Sequence, residues 1–588
     1  MAFDAVTLTA LIPELEALVG TRVVRIQQPD ALEIVLTMRG HNGNNRLLLS
    51  AHPERARIHL TTYSHRNPAE PPNFCMYLRR HLEGAQLRHI TRPDSERIVH
   101  LHFSSRDELG DKRELVIIVE TMGKHSNIIV VNKEQNTILA AIKPITAHMS
   151  RYRQILPGLP YKSPPPQERI PLAELTELQF YSELPLRSRQ PAKALLLTVA
   201  GLSPLWAQEL VFRAGLPENL DLRSADRNVL SFLWQEIVAF RQALAQQNFD
   251  PVVYLQPPGQ VVAVAPYNLT CYSGLEAKHF STMSAALDYY FACKEQEGQF
   301  TALKQSILTR ISYHIERVEK KLVLHLEAIR TAKDADKLRL YGELLFAHAH
   351  QLPPGGLTEV ELYDWNNPEK LVCVPLDPSL SPVQNAQHYF ARYTKAKKTL
   401  AAAHSQKEHD EEELNYLQSI IVALDAAEDL DDLEEIKAEL EKEGYIKKDT
   451  SFRQHPKKTP PDNQPLSFVV DGYTIFVGRN NRQNDRLTLR LAQDNDIWLH
   501  TQNIPGSHVI IRCLDGQLPP EPVLFAAAHL AAYYSRARNS SHVPVDYTRR
   551  RYVKKPAGAR PGFVIYDHQR TIYVTPDLEM IKALKGQL

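Results

Sequence analysis

Cysteine is scarce and scattered in this chain. Cys75, Cys271, Cys293, Cys373 and Cys513 are the five in 588 residues, and no two form a CxxC pair. That spacing argues against a zinc ribbon or finger and suits reduced thiols in a cytosol. No apolar run approaches the roughly twenty residues needed to cross a bilayer. The first residues, MAFDAVTLTALIPELEALVG, carry no basic flank and no small-residue cleavage site. They read as an amphipathic helix with Leu8, Leu11, Ile12, Leu15 and Leu18 on one face. The expectation is a cytoplasmic protein with no membrane partner. Enzyme signatures are missing as well: there is no GxxxxGK phosphate loop, no GxSxG elbow and no HExxH. Histidine is plentiful at 24, yet AHAH (347–350) and HLH (100–102) lack cysteines or paired carboxylates at ligand spacing. Asp94 and Glu96 could in principle do acid–base work, but nothing nearby supports a reacting site. No metal, cofactor or catalytic residue is therefore expected.

Hydrophobic content of 43% and charge of 23% are those of folded protein, and the length predicts roughly three to five domains. Residues 1–165 alternate a helix with β-patterned runs at 22–28, 31–38, 46–52, 57–62, 97–103, 114–120, 127–132 and 137–142, interrupted by a helical spacing over 72–85. This α+β domain ends at YKSPPPQ, where three prolines forbid helix or sheet. Residues 168–250 turn helical. Within them, 192–216 reads as two helices joined at Ala200-Gly201-Leu202, with Ser203 as cap and Pro204 in the first turn. Such a helix-hairpin-helix element can present helix amino termini to phosphate, and it serves equally as a packing unit. After a β-patterned piece at 252–265, residues 280–445 carry apolar positions at three- and four-residue steps, from Leu303 to Ile329 and from Tyr389 to Leu424. This predicts an antiparallel coiled-coil arm of two helices about 60 residues long, with a small cap at 351–382 rich in Pro and Gly. Two helices of a compact bundle are the other reading. A polar linker (449–465) leads to a last α+β domain at 466–576, with strands around 467–478, a helix at 523–538 and a hairpin at 563–576.

Net charge is almost absent, at +1, so the positive charge of residues 533–562 is local. That stretch holds Arg536, Arg538, Arg549, Arg550, Arg551, Lys554, Lys555 and Arg560 against one acid, Asp546, with Tyr533, Tyr534, Tyr547 and Tyr552 among them. Cations neutralise phosphates and ring faces stack on unpaired bases, which points to RNA; a solvated basic loop would look the same in composition. Two further segments are shaped for a ligand. ETMGKHSNIIVVN (120–132) places Gly123, Lys124, His125, Ser126 and Asn127 in a turn suited to phosphate or ribose. Residues 477–512 offer Arg479, Asn480, Asn481, Arg482, Trp498, His500, Ser507 and His508 for base edges and stacking, although Asn- and Gly-rich turns also satisfy their own backbone.

GRNNRQND, DIWLHTQNIPGSHVII, AAYYSRARNSS and VDYTRRRYVKKPAGARPG resemble the carboxy-terminal signature of the NFACT family, and the resemblance spans nearly the whole chain. It implies a glycosylase-like NFACT-N domain (1–165), a helix-hairpin-helix domain, a coiled coil with a middle cap, and an NFACT-R domain (466–576). The function it implies is ribosome-associated quality control. Such a factor binds large (50S) ribosomal subunits carrying a stalled peptidyl-tRNA, recruits an alanine-accepting tRNA and drives template-free C-terminal alanine tailing of the nascent chain. A small S4-domain protein is the implied partner, and peptidyl transfer is left to ribosomal RNA. By resemblance, the tRNA-binding residues are Glu96, Arg97, Glu120, Met122, Gly123, Lys124, Ser126 and Asn127, with Glu96 standing where the family has Asp. The RNA-binding residues of NFACT-R are Arg479, Asn480, Trp498, His500, Ser507, His508, Arg536, Arg538, Lys554 and Lys555. The family's Phe-Asp-Gly is Phe3-Asp4-Ala5 here; if that Gly serves a positive-φ turn, Ala5 costs about 1 kcal/mol. Two rival functions follow from the family's history and fold. A fibronectin-binding surface adhesin lacks any wall-sorting signal here. A base-excising glycosylase needs an amino-terminal proline followed by Glu, and a four-Cys zinc finger; the chain has neither.

Overall fold

The computed structural model describes residues 3–41, 43–64, 67–93, 96–106, 111–165, 168–257, 259–332, 335–364, 367–447, 464–513 and 516–585. It divides into two compact units, residues 1–297 and 298–588. In the first, Asp4 caps helix α1 (Ala5–Glu16) by accepting from Thr7 N at 2.8 Å. The amphipathic reading holds, since Leu8, Leu11, Leu15 and Leu18 are all buried in one core. Ala5 is the first helical residue and is absent from the positive-φ positions, so no strained turn forms there.

Next come β1 (Arg22–Asp30), β2 (Glu33–Gly40), β3 (Gly43–Ser50), β4 (Arg57–Leu60), α2 (Asn73–Leu82), β5 (Gln86–Thr91), β6 (Ile98–Arg106), β7 (Lys112–Glu120), β8 (Asn127–Asn132) and β9 (Thr137–Ala141). They form one sheet in the order β4-β3-β2-β1-β5-β6-β7-β8-β9. Val99, Leu101 and Phe103 face the α1 core, while Ile98, Val116, Ile118 and Ile129 build a smaller cluster on the opposite face. Strand β5 escaped the sequence pattern because only Leu87 of its six residues is buried, which leaves no period of two to read.

The following segment holds β10 (Ile170–Pro171), α3 (Glu177–Arg187), α4 (Pro191–Thr198), β11 (Val199–Ala200), α5 (Pro204–Arg213) and α6 (Arg227–Gln246). Gly201 turns between α4 and α5 at φ 84°, and Ser203 Oγ caps Trp206 N as its position before Pro204 predicts. A three-stranded sheet of β12 (Val252–Gln256), β13 (Gln260–Ala265) and β14 (Glu276–His279) closes the unit. All four residues of β14 are exposed, which explains its absence from the sequence reading. Helix α7 (Met283–Ala332) starts inside the first core through Met283, Ala286 and Leu287. Its Asp288 accepts from Thr61 Oγ1 at 2.7 Å and from Thr62 N at 2.7 Å.

In the second unit, α7 packs antiparallel to α9 (Pro382–Ala426): Ile307 and Ile311 share a core with Leu417, Ile420 and Leu424, and Lys321 and His325 approach Asp410 farther along. The expected helices of about 60 residues are shorter, at 50 and 45. The first run continues separately as α8 (Ala335–His348), and the second gives way to α10 (Leu430–Lys442), which packs on the same core through Leu433, Ile436 and Leu440. Between α8 and α9 the cap is a hairpin of β15 (Glu359–Asp364) and β16 (Asn367–Pro375).

The last domain contains β17 (Leu466–Val470), β18 (Tyr473–Val477), α11 (Asn481–Arg486), β19 (Ile497–Thr501), β20 (Val509–Ile511), α12 (Glu521–Tyr533), β21 (Val543–Arg549), β22 (Val553–Lys554), β23 (Ile565–Tyr566), β24 (Arg570–Val574) and α13 (Leu578–Lys585). Six strands form a sheet in the order β17-β18-β20-β19-β21-β24. The hairpin expected at 563–576 is not formed: β23 pairs with β22 and β24 pairs with β21. Buried Asp546 of β21 explains the arrangement, because its carboxylate accepts from Tyr566 OH at 2.9 Å and Thr571 Oγ1 at 2.6 Å. Helix α12 stops at Tyr533, short of the expected 538, because the next backbone groups bond elsewhere: Tyr534 O accepts from Ser507 N and Arg536 N donates to Pro505 O. No described helix is long and apolar enough to cross a membrane, and no described group of three or more His, Cys, Asp or Glu could hold a metal ion.

Candidate nucleic-acid interfaces

The two motifs singled out in the first domain meet at one end of the neighbouring strands β6, β7 and β8. Glu96 and Arg97 lead into β6, Glu120 ends β7, and Ile98 sits opposite Glu120 in the ladder, which in turn pairs with Asn127. Thr121 locks the junction, donating to Arg97 O from its N–H at 2.9 Å and from Oγ1 at 2.8 Å. Gly123 adopts φ 59°, a conformation that costs a side-chain-bearing residue about 1 kcal/mol. The resulting single turn of 3₁₀ helix, Gly123–His125, exposes Lys124 and His125.

The predicted residues split by environment. Glu120 is wholly buried and grips Arg153 with both oxygens, at 2.6 and 2.7 Å, while Tyr161 OH donates to it at 3.0 Å. Burial pulls the Arg153 guanidinium down, but the hydrogen bonds and charge of Glu120 outweigh it and hold it above its ordinary value. Asn127 is buried and spends its amide on the backbone, donating to Lys143 O at 2.8 Å and accepting from Lys143 N at 3.1 Å. Ser126 is buried too, with no hydrogen-bond partner for its hydroxyl. These three shape the turn from within. Glu96, Arg97 and Met122 are half-buried, so they and Lys124 are the members that reach the surface. Burial lowers the Arg97 pKa, against the opposing fields of Asp4 and Glu96.

Sequence reasoning missed the residues that hold these strand ends. Arg92 donates to Ala5 O, Thr9 Oγ1 and Glu96 O, joining the start of α1 to the turn before β6. Arg153 and Tyr161 lie 33 and 41 residues from Glu120, a separation with no local signature. On the outer face nearby, His102 stacks on His89 at 4.0 Å, and burial followed by the neighbouring histidines pushes its pKa down to about 4.

In the last domain the candidates divide again. Trp498 is fully buried, with its ring 4.7 Å from Tyr566 and 5.7 Å from His500. His508 is buried against Thr488 Oγ1 at 2.7 Å, and burial holds it well below its ordinary pKa. Ser507 is buried and His500 half-buried. Arg479 contacts Asp432 of α10 at 3.1 Å, and Asn480 Nδ2 donates to Glu435 at 2.7 Å. These side chains fasten the domain to α10. Lys555 pairs with Asp485, Arg550 bonds Asp494 and two carbonyls, and Arg560 reaches Tyr445 OH at 2.8 Å. Within the basic stretch 533–562 the exposed cations are therefore Arg536, Arg538, Arg551 and Lys554. Arg538 lies over the Tyr533 ring at 3.9 Å and Arg551 over Tyr552 at 4.9 Å. Paired with rings in this way, they give a surface that can neutralise phosphate and stack on bases.

The model of NFACT N-terminal and middle domains matches residues 4–459, and that of the NFACT protein RNA binding domain matches residues 467–566. The chain is 37% identical over 592 residues to the Rqc2 homolog RqcH of Bacillus subtilis (strain 168), covering 100% of each. It is 34% identical to the Rqc2 homolog RqcH of Streptococcus suis (strain 05ZYH33), again over 100% of each. Among solved structures, the N-terminal part of the fibronectin/fibrinogen-binding protein from Streptococcus suis is 33% identical, over 49% of this chain and 99% of that one, with a TM-score of 0.41. Matched by the family's models across both units and by relatives over its full length, this chain belongs to the NFACT family.

Proposed function

We propose that this protein is a ribosome-associated quality-control factor. It binds large ribosomal subunits that still carry a stalled peptidyl-tRNA, recruits a tRNA, and directs template-free extension of the trapped chain at its C-terminus. The observation that carries this reading is the whole-length likeness to Rqc2 homologues. The match of residues 467–566 to an RNA-binding domain supports it further. The physics of the two sites is consistent with it. Both place exposed cations beside turns or rings, where they can neutralise phosphate. In this reading the protein positions RNA and the ribosome makes the peptide bond.

The finer assignments belong to the same proposal. Arg97 and Lys124 contact the tRNA, and Glu96 keeps the carboxylate of the family's Asp one methylene farther out. The exposed cations around Arg536 and Lys554 supply sequence-independent grip on RNA. The added residues are alanine, a small S4-domain protein assists, and the work is cytoplasmic. Sequencing the tRNA that co-purifies with the protein tests these assignments. Enrichment of alanine-accepting tRNA is the expected result; a random tRNA pool, or none, contradicts the tailing assignment.

A further inference from the structure

A cleft of about 610 Å³ opens in the second unit between the α7–α9 pair and the turn that follows α12. We infer that this cleft is a pocket for a single unpaired guanine of a structured RNA, with its phosphate at Arg536 and Arg538 and its Watson–Crick edge read by carboxylates opposite. The inference rests on the RNA-binding reading of the last domain and goes beyond it by naming the base and the groups that select it.

The walls differ in chemistry. On one side stand Arg536 and Arg538, both exposed. Arg538 is held at the rim by the Tyr533 ring beneath it and by a hydrogen bond to the Tyr533 hydroxyl. On the other side Glu319, Asp425 and Glu428 expose carboxylates, Glu319 from α7 and the other two from the end of α9 and just beyond it. Ile315, Ile421, Val422 and Ala426 line the cleft between them. A groove built to track a phosphate backbone would be basic on both sides, and three carboxylates repel a strand laid along it. A base entering edge-on meets no such penalty: the phosphate stays at the arginines, the flat ring lies on aliphatic carbon, and the base edge faces acceptors. Guanine is the base whose Watson–Crick edge carries two adjacent donors, N1–H and the N2 amino group, matching the two oxygens of one carboxylate. Adenine and cytosine set a ring acceptor beside their amino group, and uracil sets carbonyls beside its one imino group, so each turns an acceptor toward the acids. The volume falls in the ~300–1,000 Å³ range of small-ligand clefts, enough for one nucleotide.

Fluorescence anisotropy of the full-length protein with RNA hairpins bearing a single bulged G, A, C or U tests the assignment. The G bulge is expected to bind tightest, by about tenfold, as one bidentate contact allows. The combined variant Glu319→Gln, Asp425→Asn, Glu428→Gln changes exposed side chains and is expected to erase that preference while leaving the other three hairpins within about twofold. Arg536→Ala should weaken all four alike. Equal binding of the four bulges, or a G preference that survives the carboxylate changes, overturns the inference and leaves RNA binding standing. Failure of every hairpin to bind at low salt removes the RNA-binding reading and the inference with it.

Discussion

Glu439 offers the sharpest test of how the last domain is held to the helices beside it. Its Oε1 accepts from Tyr416 OH of α9 at 2.9 Å and from Asn481 Nδ2 of α11 at 3.2 Å, while Oε2 is buried with no hydrogen-bond partner. Asn481 is itself clamped, because a Cβ at Gly562 would lie 2.7 Å from its Oδ1. Burial raises the Glu439 pKa from 4.5 to about 7, against the lowering effect of the Tyr416 and Asn481 hydrogen bonds. A carboxyl raised in this way favours the folded state while protonated. Its contribution is complete below the unfolded value and is lost as pH rises through the folded one. The shift corresponds to about 3 kcal/mol between the two limits. Glu439→Gln keeps the Oε1 acceptor and cannot ionise. Urea melts of both proteins should therefore nearly coincide at about pH 5, and at about pH 8 the variant should be more stable by up to about 3 kcal/mol. Hydrogen exchange in α10 and α11 should show the same crossing. A wild-type-minus-variant difference that is equal at the two pH values would refute the reasoning.

Three further outcomes follow from the sites. Arg153→Ala leaves the wholly buried Glu120 without its ion partner and should destabilise the first unit by about 3–5 kcal/mol in denaturant melts. Adding Glu120→Gln should recover part of that loss, and an unchanged midpoint for Arg153→Ala contradicts the role. Arg97→Ala, at a half-buried position, should abolish tails on a stalled reporter while the melting curve stays within about 1 kcal/mol of wild type; tails of normal length refute the assignment. Lys554→Ala removes an exposed cation and should lower the salt slope of RNA binding by about one unit without changing stability. Arg479→Ala, which strips a partner from buried Asp432, should do the reverse, and a matching loss of RNA affinity in the two variants would show that both touch RNA.

Much of the architecture was written in local pattern. Period-two runs located eight of the nine strands of the first sheet, and Ser203-Pro204 fixed the start of α5 to the residue. What stayed illegible depended on partners distant in sequence. The four exposed residues of β14 carry no burial signal, and β23 and β24 part company because Asp546 draws each toward β21. The same limit governs the sites. Composition singled out the basic stretch, but it could not separate Lys554, which faces solvent, from Lys555, which pairs with Asp485 seventy residues away. Nor could Trp498 be told from a stacking platform until the core around Tyr566 and His508 was in place. Arg479 and Asn480 read as RNA-contacting residues in the sequence, yet their side chains reach α10.

On the proposed function, this chain works on ribosomal subunits that have separated with a peptidyl-tRNA still attached. Sucrose-gradient sedimentation of a lysate from cells accumulating stalled translation tests it most directly. The protein is expected to run with free large subunits, together with tRNA, and to be depleted from 70S ribosomes. Recovery at the top of the gradient, or equal partition into 70S ribosomes, contradicts it.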